Sequence, residues 1–223
     1  MSDAKRQLRI LAEEHQFTVR RNCCYRKKGD GILQLLKFEY EPRLMQHILY
    51  IGLYSLYSEI SAHALSPNGC ILHYPIVNLH QTDDNACISP VYQISMLRNT
   101  GMQWLDAMYT QQDLIDAMCG AEIHLNGKII WGDRFKLAPF LFLGKRELAD
   151  RVIAAILQQH VGPQFWTTSA WTDSDFQMYS LRYPGEDEQL LRIHNWIASG
   201  NSDAIELYLR KNFHINSEIV KLN

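Results

Sequence analysis

No apolar run in this 223-residue chain approaches the ~20 residues a membrane-spanning helix needs, and residues 1–30 hold neither an apolar signal core nor a small-residue cleavage site. The expected location is therefore the cytoplasm, with no membrane partner. An excess of charge of one sign is also missing. The 22 basic and 24 acidic residues leave a net charge of -2, which argues against a general phosphate-backbone binder, because such a protein needs a basic surplus to release counterions. Cysteines are few. The five (Cys23, Cys24, Cys70, Cys87, Cys119) are odd in number and irregularly spaced in a chain too long to need staples, which argues against a disulfide framework, and reduced thiols are expected. The spacings G-x-S-x-G, H-E-x-x-H, G-x-x-x-x-G-K-[ST] and G-x-G-x-x-G do not occur, so the chemistries announced by those motifs have no signature here. What is present is ordinary globular usage, 47% hydrophobic and 21% charged, in a chain worth about 1.5 domains.

Local patterns give an α+β reading. Leu8, Leu11, Ala12 and His15 recur at helical spacing behind Ser2 as a candidate N-cap, with Lys5, Arg6, Arg9, Glu13 and Glu14 on the other side. Thr18 to Tyr25 favours extended chain, Lys28-Gly29-Asp30-Gly31 is a turn, and Ile32 to Tyr40 reads as the returning strand, ended by Glu41-Pro42. His47 to Ser58, apolar on both parities, fits a central strand. Ser66-Pro67-Asn68-Gly69 is a turn before a short strand at Cys70 to Val77, and Gln81 to Asn85 reads as a loop. Pro90 to Tyr109 is ambiguous. Thr110 and Asp113 have capping-box spacing, Leu114, Ile115 and Met118 make the buried stripe, and Gly120 is the expected stop. Asn126-Gly127 between Ala121–Leu125 and Lys128–Trp131 predicts a type I′ hairpin. Helices are expected from beyond Gly144 to about His160, from Glu186-Asp187-Glu188 to Gly200, and from about Ser202 onward. The expectation is an antiparallel sheet built from hairpins, with an N-terminal helix and a helical C-terminal part. Residues 1–160 would form the α+β body and residues 161–223 a helical extension packed on it.

The run His15-Gln16-Phe17-Thr18-Val19-Arg20-Arg21, Tyr25-Arg26, Gly29-Asp30 and Ile32-Leu33-Gln34-Leu35-Leu36-Lys37-Phe38, followed by Ile51-Gly52-Leu53-Tyr54, resembles the bacterial domain of unknown function 4304 family over roughly the first 60 residues. Gln16 stands where that family has glycine, whose freedom would license a backbone turn that Gln resists. The resemblance implies an α+β fold with no established catalytic residue. It also implies the kind of protein that serves as an immunity partner, neutralising a toxin encoded beside it.

Two constellations could carry chemistry. Cys70, His73, His80 and Cys87 are zinc-ligand types, but a strand at Cys70 to Val77 would point Cys70 and His73 to opposite faces, and the gaps around His80 match no common knuckle. Cys119, His124 and Asp133 could in principle supply a nucleophile, base and orienter, although such pairings arise by chance among five Cys and nine His. Cys23 and Cys24, adjacent on a strand, face opposite ways, with one expected in the core. A metal- or thiol-dependent enzyme is thus the alternative to a binding role, and no metal or cofactor is expected.

Two charged stretches concern partners. Lys5, Arg6, Arg9, Arg20, Arg21, Arg26, Lys27 and Lys28 face only Glu13 and Glu14 within residues 5–28, which reads as a solvated helix face plus a hairpin tip, with nucleic acid as a further alternative. Between residues 165 and 188, Phe165, Trp166, Trp171, Phe176, Tyr179 and Tyr183 interleave with Asp173, Asp175, Glu186, Asp187 and Glu188. Such rings either dock the C-terminal helices or anchor a partner, with the carboxylates steering a basic cleft toward them. On the second reading the contact residues are Trp166, Trp171, Asp173, Asp175, Tyr179, Glu186 and Asp187.

Overall fold

The computed structural model describes residues 2–20, 23–41, 45–59, 72–75, 89–124, 130–161 and 186–222. Helix α1 (Ser2–Glu14) turns Ala4, Leu8, Leu11 and Ala12 inward and leaves its charged side in water. It stops by a chain reversal in which the Phe17 amide donates to the Ala12 carbonyl at 2.8 Å while Gln16 takes φ 63°. The turn that glycine would ease is therefore made by Gln16 itself, in the left-handed region that L side chains resist.

Strands β1 (Thr18–Arg20), β2 (Cys23–Lys28), β3 (Ile32–Glu41), β4 (Gln46–Ser55) and β5 (Leu72–Pro75) form one sheet in sequence order, each neighbour antiparallel. The expected single extended run from Thr18 to Tyr25 is in fact two strands, because Arg20 pairs with Cys23 and the chain folds back on itself. At the β2–β3 turn, Gly29 has φ 38°, and a Cβ there would lie 1.9 Å from the Tyr109 carbonyl oxygen, so that position admits only glycine. β4 lies between β3 and β5 and is buried from Ile48 through its end, as its two-sided apolar pattern predicts, although it stops at Ser55.

Each face of the sheet has its own cover. Ile32, Leu36, Phe38, Leu49, Ile51 and Leu53 pack under α1 and under a helix that runs as α2 (Pro90–Met96), a π-helical turn (Leu97–Gly101) and α3 (Met102–Ala107). On the opposite face Tyr25, Leu33, Leu35, Tyr54 and Leu56 meet Phe213 and Val220 of the last helix, and the Tyr25 hydroxyl donates to the Val220 carbonyl at 3.0 Å. Helices α4 (Gln111–His124), α5 (Ile130–Phe142), α6 (Arg146–Val161), α7 (Glu186–Ala198) and α8 (Ser202–Leu222) follow. Ile115, Leu137, Leu141, Ile153 and Leu157 share one apolar cluster with Leu190, Ile193, Ile205 and Leu209.

The capping box at the start of α4 forms as expected: the Asp113 carboxylate accepts from the Thr110 amide at 2.7 Å, and the Thr110 hydroxyl accepts from the Asp113 amide at 3.1 Å. Two expectations beyond it fail. Gly120 does not end the helix, and Ala121–His124 and Ile130–Trp131 are helical rather than the arms of a hairpin. A glycine inside a helix costs only about 1 kcal/mol, less than a capped helix gains by burying Leu114 and Ile115. Positive φ at Asn-Gly favours a hairpin only where its arms have strands to pair with. The Asn126-Gly127 pair lies outside the described residues, as do the turn expected at Ser66–Gly69 and the loop at Gln81–Asn85.

Gln16→Gly should stabilise the protein by up to about 1 kcal/mol, since it removes left-handed strain at an exposed site. Urea denaturation would read this as a higher midpoint at unchanged slope, and a lower midpoint would contradict the account of how α1 ends.

Candidate functional site

The residues singled out from sequence divide sharply. Trp166, Trp171, Asp173, Asp175 and Tyr179 lie outside the described residues, whereas Glu186 and Asp187 open α7. Glu188 pairs with Arg192 one turn along the same helix. Of the zinc candidates, His73 is on β5 while Cys70, His80 and Cys87 lie outside the described residues. Cys119, His124 and Asp133 are carried by consecutive helices, α4 and α5, and not by the two sides of a hairpin. Among the described residues no group of three or more His, Cys, Asp or Glu could hold a metal ion. Cys24 is the core member of the adjacent pair, and burial, aided by neighbouring Cys23, pushes its thiol up to about 12, so it is protonated at neutral pH.

The basic stretch does not form one surface. Alternation along β2 sends Lys27 to the α8 side, where its ammonium lies 4.4 Å from the centre of the Phe213 ring, and sends Arg26 and Lys28 to the α1–α3 side. Arg26 is an interior residue. Its Nε donates to Gln34 Oε1 at 2.7 Å, one terminal nitrogen to the His15 carbonyl at 2.8 Å, and the other to Asp106 Oδ1 at 2.5 Å, while its guanidinium stacks 4.4 Å from the centre of the Phe17 ring. Gln34 in turn donates to the carbonyls of Leu105 and Met108 at the end of α3. One guanidinium and one carboxamide thus tie β2, β3, the end of α1 and the end of α3 together. Reading this stretch as a solvated face plus a charged tip holds for Lys5, Arg6 and Arg9 and fails for Arg26. Across the molecule, His194 Nδ1 and Asp150 Oδ1, 2.5 Å apart, similarly join α7 to α6.

Four of the nine exposed large apolar residues among the described residues belong to the β3–β4 turn and the start of α2. At the turn end of the β3–β4 hairpin, Tyr40 is 52% exposed and Met45 80% exposed, and the Tyr40 ring meets His47 edge-on at 5.3 Å. Gln93 holds the first turn of α2 against the same end of β4, accepting from the Leu49 amide at 2.6 Å and donating to the His47 carbonyl at 2.9 Å. Val91 and Tyr92, 46% and 59% exposed, precede Gln93 on that first turn, so the rim of Tyr40 and Met45 has an exposed helix turn anchored to the adjoining strand. Sequence parity hides Tyr40, because it shares a face with Leu36 and Phe38 and reads as core. It is exposed because the helix layer ends before the strand does.

The fold and this rim define an antiparallel α+β protein with helices on both faces of a five-stranded meander and an exposed aromatic end. Comparison with family models, curated proteins and solved structures gives no match.

Partial burial opposes ionisation of Asp106, but the hydrogen bond and charge of Arg26, with the charges of Lys28 and His15, outweigh it and hold its pKa below 3.8. A depressed carboxylate stabilises the fold above its unfolded-state pKa, and that contribution is lost as pH falls through the folded value. The melting temperature of wild type should therefore exceed that of Asp106→Asn at pH 5 and above, and the gap should close as pH drops below 3.8. A gap that stays constant down to pH 2 would contradict this role.

Proposed function

We propose that this chain is a cytoplasmic protein-binding module that acts stoichiometrically, as the immunity partner of a toxin does. The observation that carries the reading is the exposure of Tyr40 and Met45 at the β3–β4 turn and of Val91 and Tyr92 on the first turn of α2, which Gln93 anchors to the same end of β4. Aromatic residues and methionine are what interface cores concentrate, and solvent-facing groups of them mark contact sites. The ladder and the Gln93 bridge hold this rim, so little ordering would be left to oppose binding. Cys23 and Cys24, both free, fit a reducing compartment. The toxin as partner comes from the family resemblance. The aromatic and acidic segment 165–188 supplies the second contact in this reading, with Trp171 as anchor and Asp173 as steering charge.

The product of the adjacent open reading frame is the partner to titrate, by isothermal calorimetry. One-to-one binding is expected. The triple variant Tyr40→Ala, Met45→Ala, Tyr92→Ala should weaken it by about 2 kcal/mol or more, roughly 30-fold, and Trp171→Ala with Asp173→Lys by a similar factor. Absence of binding overturns the reading, and an unchanged Kd in the triple variant removes the rim from it.

A further inference from the structure

We propose that the pocket between the end of β4 and helices α5, α7 and α8 is a binding site for an alkylammonium group, an amine head on an unbranched stem of about four carbons, either as a free small molecule or as the lysine side chain of a partner. The pocket has a volume of ≈ 50 Å³, several times the ~10–15 Å³ that one water occupies on this measure. Leu137 and Ala138 of α5 and Leu190 and Ile193 of α7, all buried, form its apolar wall, and the half-buried Tyr208 of α8 closes one side. The four aliphatic side chains give nothing to a polar guest and, with the face of the Tyr208 ring, suit a run of methylenes.

The polar contribution comes from three residues. Ser58 is 6% exposed and its backbone is fully committed, the amide donating to the Ser55 carbonyl at 3.0 Å and the carbonyl accepting from Asn216 Nδ2 at 2.8 Å. Its hydroxyl is buried and makes no hydrogen bond. A buried hydroxyl without a partner is a standing cost, which a guest donor removes once the Ser58 side chain rotates toward the pocket. Gln189 adds a carboxamide, and the exposed Glu59 adds a carboxylate, the one charged side chain among the described lining residues.

The sign of that charge selects the ligand. An ammonium brings three donors and a positive charge to a hydroxyl, a carboxamide oxygen and a carboxylate, whereas a carboxylate guest would be repelled and an alcohol would lose the charge attraction. Water could satisfy Ser58, but it would leave four apolar side chains facing it. The inference stands apart from the protein-binding reading, since a free amine would use the site as well as a lysine would.

The test is an NMR titration of the full-length, isotopically labelled chain, following the amides of Ser58, Ile193 and Tyr208. Saturable shifts are expected with n-butylammonium, weaker ones with n-butanol, and none with butyrate. Glu59→Gln, at an exposed position, should raise the Kd for n-butylammonium about two- to five-fold and leave n-butanol unaffected, the range for one solvent-exposed ion pair. Nα-acetyl-lysine methylamide distinguishes the sources: binding at least as tight as n-butylammonium assigns the site to a partner's lysine, and binding of the free amine alone assigns it to a small molecule. Equal affinity for n-butanol and n-butylammonium, or no saturable shift with the amine, overturns the proposal. No partner protein is involved, so that failure would leave the protein-binding reading untouched.

Discussion

The carboxamide of Gln93, fully buried, accepts from the Leu49 amide and donates to the His47 carbonyl, bonding the edge of β4 as a neighbouring strand would. Among the described residues β5 pairs with β4 from Tyr50 to Leu53, and the outward-pointing groups of Leu49 and His47 are met by Gln93. A side-chain amide carries one donor and one acceptor edge much as a peptide does, and a helix that delivers it both seals the sheet edge and fixes its own position. The same device recurs. Gln34 seals the end of α3, Gln111 donates to the Asp30 carbonyl, and Asn212 and Asn216 of α8 bind the carbonyls of Tyr57, Leu56 and Ser58. Layers that apolar packing alone would allow to slide are given a register by these contacts.

The candidate surfaces follow from this arrangement. Because Gln93 anchors α2 at the end of β4, the exposed Val91 and Tyr92 are held on a helix turn fixed to the strand that pairs with Tyr40. Asn216 holds the Ser58 carbonyl, which leaves that residue's hydroxyl without a partner at the edge of the α5–α7–α8 pocket. Arg26 and Asp106 are committed to joining α1, the sheet and α3. The interior polar groups of the described residues thus act mainly on the backbone, while the exposed rim and the pocket carry the proposed contacts.

Periodicity made α1, β3 and β4 legible, and local chemistry made two boundaries legible: the Gly29-Asp30-Gly31 turn and the Thr110–Asp113 cap. Each depends on residues a few positions apart. The misread features depend on distant partners. Arg26 looks like one cation in a basic run until Asp106, 80 positions away, is seen beside it. Gln34 and Gln93 look like polar interruptions of apolar patterns, and nothing local says which carbonyl each will meet. Asn126-Gly127 argued for a hairpin on turn chemistry alone, whereas its flanks fold as helices that have a core to cover and no strand to pair with. In the candidate site, Tyr40 and Tyr92 were invisible for the same reason: exposure at the end of a sheet depends on where the covering helix begins.

Native-state hydrogen exchange at the Leu49 amide in wild type and in Gln93→Leu tests the dependence of this edge on a side chain most directly. The account predicts that the substitution accelerates exchange at Leu49 by about ten-fold or more relative to Leu36 at the sheet centre, the equivalent of one lost hydrogen bond. Equal acceleration at both sites, or none at Leu49, would mean that the β4 edge is closed by something other than Gln93.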